Sequence, residues 1–246
     1  MLFIQEHIRR IVEDPIAKWV YLGDGGECVT PFSKGDMHSQ LLSPQGQLDA
    51  LVNLFSPIKE KALFGIRGNH GHRIFKEVGV SFDNNLCKIL GIPYFGVAVM
   101  ANFLVNRSSY DCYFHHGIDS GTSLQIKISK AEKFASFINA DAVFTAHSHV
   151  AVDLQPAALL SADNSAKKLK TKLRHQYICG SAYDSRTGYA EEKGYPPLLP
   201  SWLSVKFGNR VLHGYPRKSQ QCTVYRSDGQ HELDHSWTKE YLREVE

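Results

Sequence analysis

Four short polar clusters contain residue types that could bind a metal ion. They are Gly23-Asp24, Gly68-Asn69-His70, His116-Gly117 and His147-Ser148-His149. Together they offer a carboxylate, an amide oxygen and several imidazoles, which mix hard oxygen donors with borderline nitrogen donors and suit divalent transition metals. A single histidine at such a position is usually an ordinary polar residue, so the prediction rests on the four clusters together.

Each cluster directly follows a segment that is predicted to be a strand. The short apolar runs cover residues 19–22, 62–66, 113–114 and 142–145,. Apolar residues at helical spacing predict helices over residues 3–12, 48–55 and 129–138,. Alternating helices and strands of these lengths indicate an α/β fold in layers. Because ligands of open α/β sheets bind at the ends of the strands, we expect the clusters to meet in one cleft.

Beyond Val150 the sequence becomes richer in strand-forming patterns. Basic and apolar residues alternate over residues 167–179 in the manner of a hairpin, and residues 202–207 and 222–225 are predicted strands,. We interpret the basic run 167–174 as lysines that protect a sheet edge, in preference to a contact with a nucleic-acid backbone. Glycine and proline predict a structured loop over 188–200. We predict one domain over residues 1–246, with a motif-bearing α/β part (1–150) and a strand-rich part (151–246).

The order of the four clusters resembles that of the calcineurin-like metallophosphoesterases, most closely their phage-type and bacterial members. That family carries D-x-H, G-D-x-x-D/E, G-N-H-D/E, a middle histidine and G-H-x-H. The last four motifs have counterparts here, in the segments Gly23-Asp24-Gly25-Gly26-Glu27, Gly68-Asn69-His70, His116 and Ala146-His147-Ser148-His149. The match runs from Gly23 to His149, just over half of the chain. It implies a β-sandwich flanked by helices, the metallophosphoesterase fold.

The resemblance also implies a role for each matched residue. The metal ligands would be Asp24, which bridges two ions, with Asn69, His116, His147 and His149. His70 would be the catalytic histidine that stabilises the transferred or departing phosphoryl group, although Gly71 stands where the family usually carries an acid. Arg67 and Arg73 flank this loop and could bind substrate phosphate through paired donors, with plain surface arginines as an equal alternative.

The first motif of the family has no good counterpart. Asp36-Met37-His38 is the only D-x-H in the sequence, and it follows the second motif in a turn-like region, so we interpret it as unrelated. The resemblance then implies one complete metal site and a second site that keeps only Asp24 and His149. It also implies a fold without its first strand, so an N-terminal truncation is expected.

The implied activity is that of a metal-dependent phosphoesterase that hydrolyses phosphodiesters or phosphomonoesters. Two divalent ions about 4 Å apart would bind the phosphoester and lower the pKa of a water. Mn²⁺ is the preferred ion, with Fe²⁺, Zn²⁺, Ni²⁺ and Mg²⁺ as alternatives. A DNA exonuclease-like activity is the narrower alternative, so nucleic acid stays open as a partner. A truncated remnant that binds metal or a partner without turnover is the alternative from another class.

The composition of the chain argues against several other classes of protein. The net charge of +3 is too small to indicate a dedicated nucleic-acid binder, and no apolar run approaches the roughly 20 residues that span a bilayer,. Five scattered cysteines, none paired as C-x-x-C, favour reduced thiols over a disulfide framework,. We therefore expect a cytoplasmic protein without a membrane contact.

Overall fold

The computed structural model describes residues 2–33, 37–105, 108–117, 121, 123–163, 165, 167–183, 199–207, 222–226 and 232–235. They fall into two compact units, Met1–Val99 with Phe114–Gly117, and Met100–Tyr113 with Ile118–Glu246. Helices and multi-stranded sheets are both present in the described part of the chain, so the predicted α/β class is confirmed. Among these residues, no helix has the length and apolar character needed to cross a membrane.

The first unit is built on a short parallel strand pair with helices around it. Its elements in order are α1 (Leu2–Glu13), β1 (Trp19–Tyr21), α2 (Pro44–Phe55), β2 (Ala62–Gly65), α3 (Gly71–Val78) and α4 (Phe82–Leu90). Strands β1 and β2 pair in parallel. The predicted helices over 3–12 and 48–55 and the strands over 19–22 and 62–66 are confirmed. Helix α2 begins where it does because the Ser43 hydroxyl accepts from the Gly46 amide and Pro44 fits the first turn,.

The core of the first unit lies between α2, α4 and the strand pair. Its buried members include Tyr21, Leu48, Leu51, Phe82, Leu86 and Leu90. The Trp19 and Phe55 rings extend this core, with centroids 5.0 Å apart. Helices α3 and α4 were not among the predicted elements, and each ends at a glycine with φ of +72°. Glycine is the usual residue there because a left-handed helix end penalises a Cβ.

The second unit contains most of a five-stranded sheet in the order β3-β4-β5-β7-β6. Its elements are β3 (Ala98–Val105), β4 (Ser108–His115), α5 (Leu124–Ala135), β5 (Ala142–Thr145), β6 (Val152–Asp163) and β7 (Lys168–Ile178). Strand β5 pairs with β7 in parallel and is buried along its whole length. The predicted strand over 142–145 is confirmed, and α5 covers most of the predicted helix over 129–138.

One prediction for this unit was wrong. Residues 167–179 do not form a hairpin by themselves but belong to the single strand β7, which pairs antiparallel with β6. The stretch is one arm of a hairpin whose other arm is β6. The pattern misled because β6 contains Pro156 and a register shift between Leu154 and Ala157, which hide its alternation,.

A separate antiparallel sheet comprises β8 (Leu203–Phe207), β9 (Cys222–Arg226) and β10 (Glu232–His235). The predicted strands over 202–207 and 222–225 are therefore confirmed. Most of the loop predicted over 188–200 lies outside the described residues, as does Asp36 of the D-x-H sequence. Among the described cysteines, Cys28, Cys87 and Cys179 are free thiols.

Candidate metal centre

The loops that follow β1 and β2 touch each other through their backbones. A Cβ on Gly68 would lie 2.1 Å from Asp24 Oδ1 and 2.2 Å from the Asp24 nitrogen. A Cβ on Gly23, whose φ is +88°, would lie 2.3 Å from the Gly68 nitrogen. Neither position has room for a side chain, so the two glycines allow the loops to meet at the end of the parallel strand pair.

Asp24 is fixed in this contact by the chain of the second loop. Its Oδ1 accepts a hydrogen bond from the His70 backbone N–H at 2.7 Å. Its own backbone is left-handed, with φ of +59°, a conformation that aspartate tolerates better than most residues,. The other oxygen, Oδ2, lies 2.9 Å from His116 Nε2. The carboxylate therefore faces the imidazole with one oxygen while the backbone holds the other.

His116 directly follows β4 and is buried, with 5% of its surface exposed. Its Nδ1 lies 2.6 Å from the Leu22 carbonyl oxygen, and its Nε2 lies 2.9 Å from Asn69 Oδ1. A carbonyl oxygen can only accept, so Nδ1 carries a proton. In the neutral ring, the lone pair of Nε2 then faces the oxygen lone pairs of Asn69 and Asp24.

Three lone-pair donors that converge in this way need a positive charge between them. A proton on Nε2 can supply it, and so can a metal ion bound to all three atoms. Asp24 and His116 belong to a group of residues that could hold a metal ion. Burial lowers the pKa of His116, but the hydrogen bond and the negative charge of Asp24 outweigh burial and hold the pKa above its usual value. The donor set thus fits a divalent metal, with the Leu22 carbonyl orienting the histidine ring.

His70 lies at the start of α3, beside this group. Its Nδ1 is 3.4 Å from Glu27 Oε2, and its Nε2 is 3.9 Å from Asp24 Oδ2. The hydrogen bond from His70 lowers the pKa of Glu27. Arg73 Nη1 donates to the Glu27 carbonyl oxygen at 3.1 Å and lies 3.9 Å from Glu27 Oε2. The structure therefore brings His70, Glu27 and Arg73 together.

Arg67 is half-buried and is tied to the first unit through its backbone. Its N–H donates to the Gly96 carbonyl oxygen at 2.6 Å. Burial, and then the positive charges of Arg67 and Lys76, lower the pKa of His72. Substrate binding by Arg67 and Arg73 stays a prediction.

Asp83 and Tyr21 were missed by the sequence reasoning. Asp83, on α4, is 1% exposed, and its Oδ1 accepts from the Tyr21 hydroxyl at 2.6 Å. Its Oδ2 accepts from the Gly68 N–H at 3.2 Å. Burial raises the pKa of Asp83. A signal existed in the sequence, since Asp83 shares the i, i+3, i+4, i+7 face of α4 with apolar residues, where a carboxylate is unusual.

His147 and His149 belong to the second unit, on the loop after β5. Both have left-handed backbones, with φ of +65° and +58°. The Lys127 ammonium donates to the Ser148 carbonyl oxygen at 2.6 Å, and the His149 and Tyr183 rings have centroids 5.8 Å apart. Their placement after a strand is as predicted. Their assignment as metal ligands stays a prediction.

Comparison with known proteins gives structural similarities only. No family model and no curated protein matches the sequence. A Vps29 single mutant from Entamoeba histolytica is similar over 84% of this chain and 89% of its own, at 13% identity and a TM-score of 0.38. A double mutant of the same protein is similar over 78% of this chain and 86% of its own, at 12% identity and a TM-score of 0.37. A predicted phosphoesterase from Streptococcus pneumoniae is similar over 95% of this chain and 86% of its own, at 13% identity and a TM-score of 0.35. All three TM-scores are below 0.5, so the function below is inferred from the side chains.

Proposed function

We propose that the chain is a metal-dependent phosphoesterase that hydrolyses phosphodiester or phosphomonoester bonds. The observation that carries the proposal is the convergence on His116 Nε2 of Asn69 Oδ1 and Asp24 Oδ2, each 2.9 Å away. The order of the sequence motifs supports it independently. Mixed oxygen and nitrogen donors of this kind suit Mn²⁺ or Fe²⁺. A structural zinc ion is instead bound by thiolates and imidazoles.

In this proposal, Asp24, Asn69 and His116 hold a divalent ion. Such an ion would supply the polarisation of phosphoryl oxygens and a lower pKa for a bound water. The sequence motif assigns His147 and His149 to the same centre, and with them a second ion. For these two histidines the proposal rests on the motif alone.

Backbone groups of the protein orient the His116 and Asp24 side chains. Because the Leu22 carbonyl accepts from Nδ1 of His116, Nε2 of that ring is kept as the ligand atom,. Because the His70 amide holds Oδ1 of Asp24, Oδ2 is the oxygen directed at the imidazole. The two backbone contacts therefore select which atom of each side chain binds the ion.

His70 would act on the phosphoryl group. Glu27 accepts from Nδ1 of His70, which fixes the ring and leaves Nε2 on the side of Asp24. In the imidazolium form, Nε2–H can donate to a phosphoryl or leaving-group oxygen that gains negative charge. Arg73 holds Glu27 and thereby supports His70, and phosphate binding is proposed for both Arg67 and Arg73.

The test is turnover of a chromogenic phosphodiester and its monoester analogue, with Mn²⁺ added and with metal removed by a chelator. We expect Mn²⁺-dependent hydrolysis that falls about a hundredfold in His70→Asn, the range for loss of a general acid. Asn69→Ala should lower turnover at low Mn²⁺ because a metal ligand is removed. His72→Asn, two residues from His70, is the matched control and should change turnover less than twofold.

Three other outcomes would redirect the proposal. Equal loss in His72→Asn would show that the loop had simply been damaged. Mn²⁺ binding without any turnover would contradict the enzyme and favour a metal-binding protein that is not catalytic. Cleavage of single-stranded or duplex DNA with the same sensitivity to His70→Asn would favour the exonuclease-like alternative.

A further inference from the structure

Asp83 connects the two loops that carry Asp24 and Asn69, although it belongs to neither. Gly68, whose N–H donates to Asp83 Oδ2 at 3.2 Å, immediately precedes Asn69. On the other side, the Tyr21 hydroxyl donates to Asp83 Oδ1 at 2.6 Å. The Tyr21 oxygen in turn accepts from the N–H of Gly25 at 2.9 Å, and Gly25 immediately follows Asp24.

These hydrogen bonds all lead towards Asp83, from one loop through Tyr21 and from the other loop directly. Backbone N–H groups only donate, so the Tyr21 oxygen must accept from Gly25 and its hydroxyl proton is left for Asp83. The carboxylate accepts at both oxygens, one from each loop. A carboxylate is the group that can do this, since an amide of the same shape offers one acceptor and one donor.

The buried carboxylate also explains a glycine that departs from the motif. A Cβ on Gly71, at the start of α3, would lie 2.6 Å from Asp83 Oδ2. Gly71 therefore leaves the space that the Asp83 carboxylate occupies. At 1% exposure, Asp83 is held here at the expense of its hydration, a cost that a purely apolar core residue would avoid,.

We propose that Asp83 is a positioning residue that sets the separation of the Asp24 and Asn69 loops for metal binding. The proposal rests on the metal site of the proposed function. Asp83 touches no ligand side chain in the hydrogen bonds described above and acts through the backbone on either side of the ligands. Groups that orient metal ligands in this indirect way typically alter metal affinity about tenfold to a hundredfold when they are replaced.

The experiment measures Mn²⁺ affinity by calorimetry and amide hydrogen exchange by NMR in the full chain without metal. Asp83→Asn keeps the shape but loses one of the two acceptors. Tyr21→Phe removes the hydroxyl, and with it both the acceptor for the Gly25 N–H and the donor to Asp83 Oδ1, but it keeps the Gly68–Asp83 hydrogen bond. Leu86→Ala is the control, because Leu86 lies on the same helix and is 1% exposed in the same core.

We expect Asp83→Asn to weaken Mn²⁺ binding at least about tenfold, while Leu86→Ala lowers the melting temperature and leaves the affinity within twofold. Exchange at the Gly25 or the Gly68 amide, whichever loop loses its acceptor, should accelerate about tenfold in Asp83→Asn. In Tyr21→Phe only the Gly25 amide should respond.

Unchanged Mn²⁺ affinity in Asp83→Asn, or an equal loss in Leu86→Ala, would overturn the positioning role. If the wild-type chain binds no Mn²⁺, the proposed function fails, and the exchange measurement then decides the role of Asp83 separately. In that case, wild-type exchange at both glycines in Asp83→Asn would overturn the loop contact itself.

Discussion

The loops of the first unit and the loop after β5 in the second unit both place left-handed backbone on motif residues, but only the first unit shares it with a glycine. In the first unit, Gly23 has φ of +88° and Asp24 has φ of +59°, and a Cβ on Gly23 would lie 2.3 Å from the Gly68 nitrogen. In the second unit, the left-handed residues are His147 and His149 themselves. A side chain in this conformation costs roughly 1 kcal/mol or more.

The partners of the two regions differ as well. In the first-unit loops, the Gly68 N–H donates to the buried Asp83 carboxylate, and the Gly25 N–H donates to the buried Tyr21 hydroxyl. Among the described contacts of the second-unit loop is the flexible ammonium of Lys127 on the Ser148 carbonyl,. The first region, whose loops are held by buried hydrogen bonds, is therefore expected to be preformed without metal. Its left-handed strain falls on one assigned ligand, Asp24, whereas in the second region it falls on both assigned ligands,.

The largest expected effect is that of a methyl group at Gly68. Gly68→Ala should destabilise the chain by about 3 kcal/mol, because the added carbon would lie 2.1 Å from Asp24 Oδ1 and the loops must separate,. Gly79→Ala is the control, since Gly79 has φ of +72° and nothing within 4 Å of an added Cβ, so only about 1 kcal/mol is expected,. Urea unfolding measures both. Equal losses would mean that the loop contact is looser than described.

The strain on the second-unit loop can be measured with two substitutions at one position. Without metal, His147→Gly should be about 1 kcal/mol more stable than His147→Ala, because glycine adopts the left-handed conformation without the Cβ penalty. Thermal or urea unfolding provides the comparison. An alanine variant as stable as the glycine variant would show that the loop is not strained at this residue and would remove the contrast between the regions.

The smallest expected effect is a pH dependence from His116. Its pKa is raised in the folded chain, so its pairing with Asp24 contributes stability that is fully present below the usual histidine pKa of about 6.5 and is lost as the pH rises through the folded value,. Without metal, the difference in unfolding free energy between wild type and His116→Gln should shrink between pH 5.5 and 8.5. A difference that grows over this range would contradict the ion pair.

The placement of Asp24, Asn69 and His116 could be predicted because their signals are local, while their role as metal ligands stays a prediction. Asp24, Asn69 and His116 lie three, four and one positions after the ends of β1, β2 and β4, and strand β5 was predicted with its bounds unchanged. Parallel pairing of β1 and β2 then brings the first two loops to the same end of the strands,. For the placement of these residues, the motif and the alternation of elements were enough.

What could not be predicted depends on distant or interrupted patterns. Asp83 bonds to Tyr21, 62 positions earlier in the chain, and no motif connects them. Helices α3 and α4 are short and lie between glycines, so neither shows the long apolar period of α1,. Strand β6 was hidden by Pro156 and its bulge, and this caused β7 to be interpreted as a complete hairpin.

The most direct test of the central claim is a calorimetric titration of Mn²⁺ into the wild-type chain, His116→Gln and His115→Gln at pH 7.5. His115 is the neighbouring histidine, and its Nδ1 accepts from the Gly117 N–H at 2.8 Å, outside the contacts of Asp24 and Asn69. We predict that His116→Gln loses Mn²⁺ binding by at least about tenfold while His115→Gln binds as the wild type does. Binding that survives in His116→Gln would contradict a metal centre built on Asp24, Asn69 and His116.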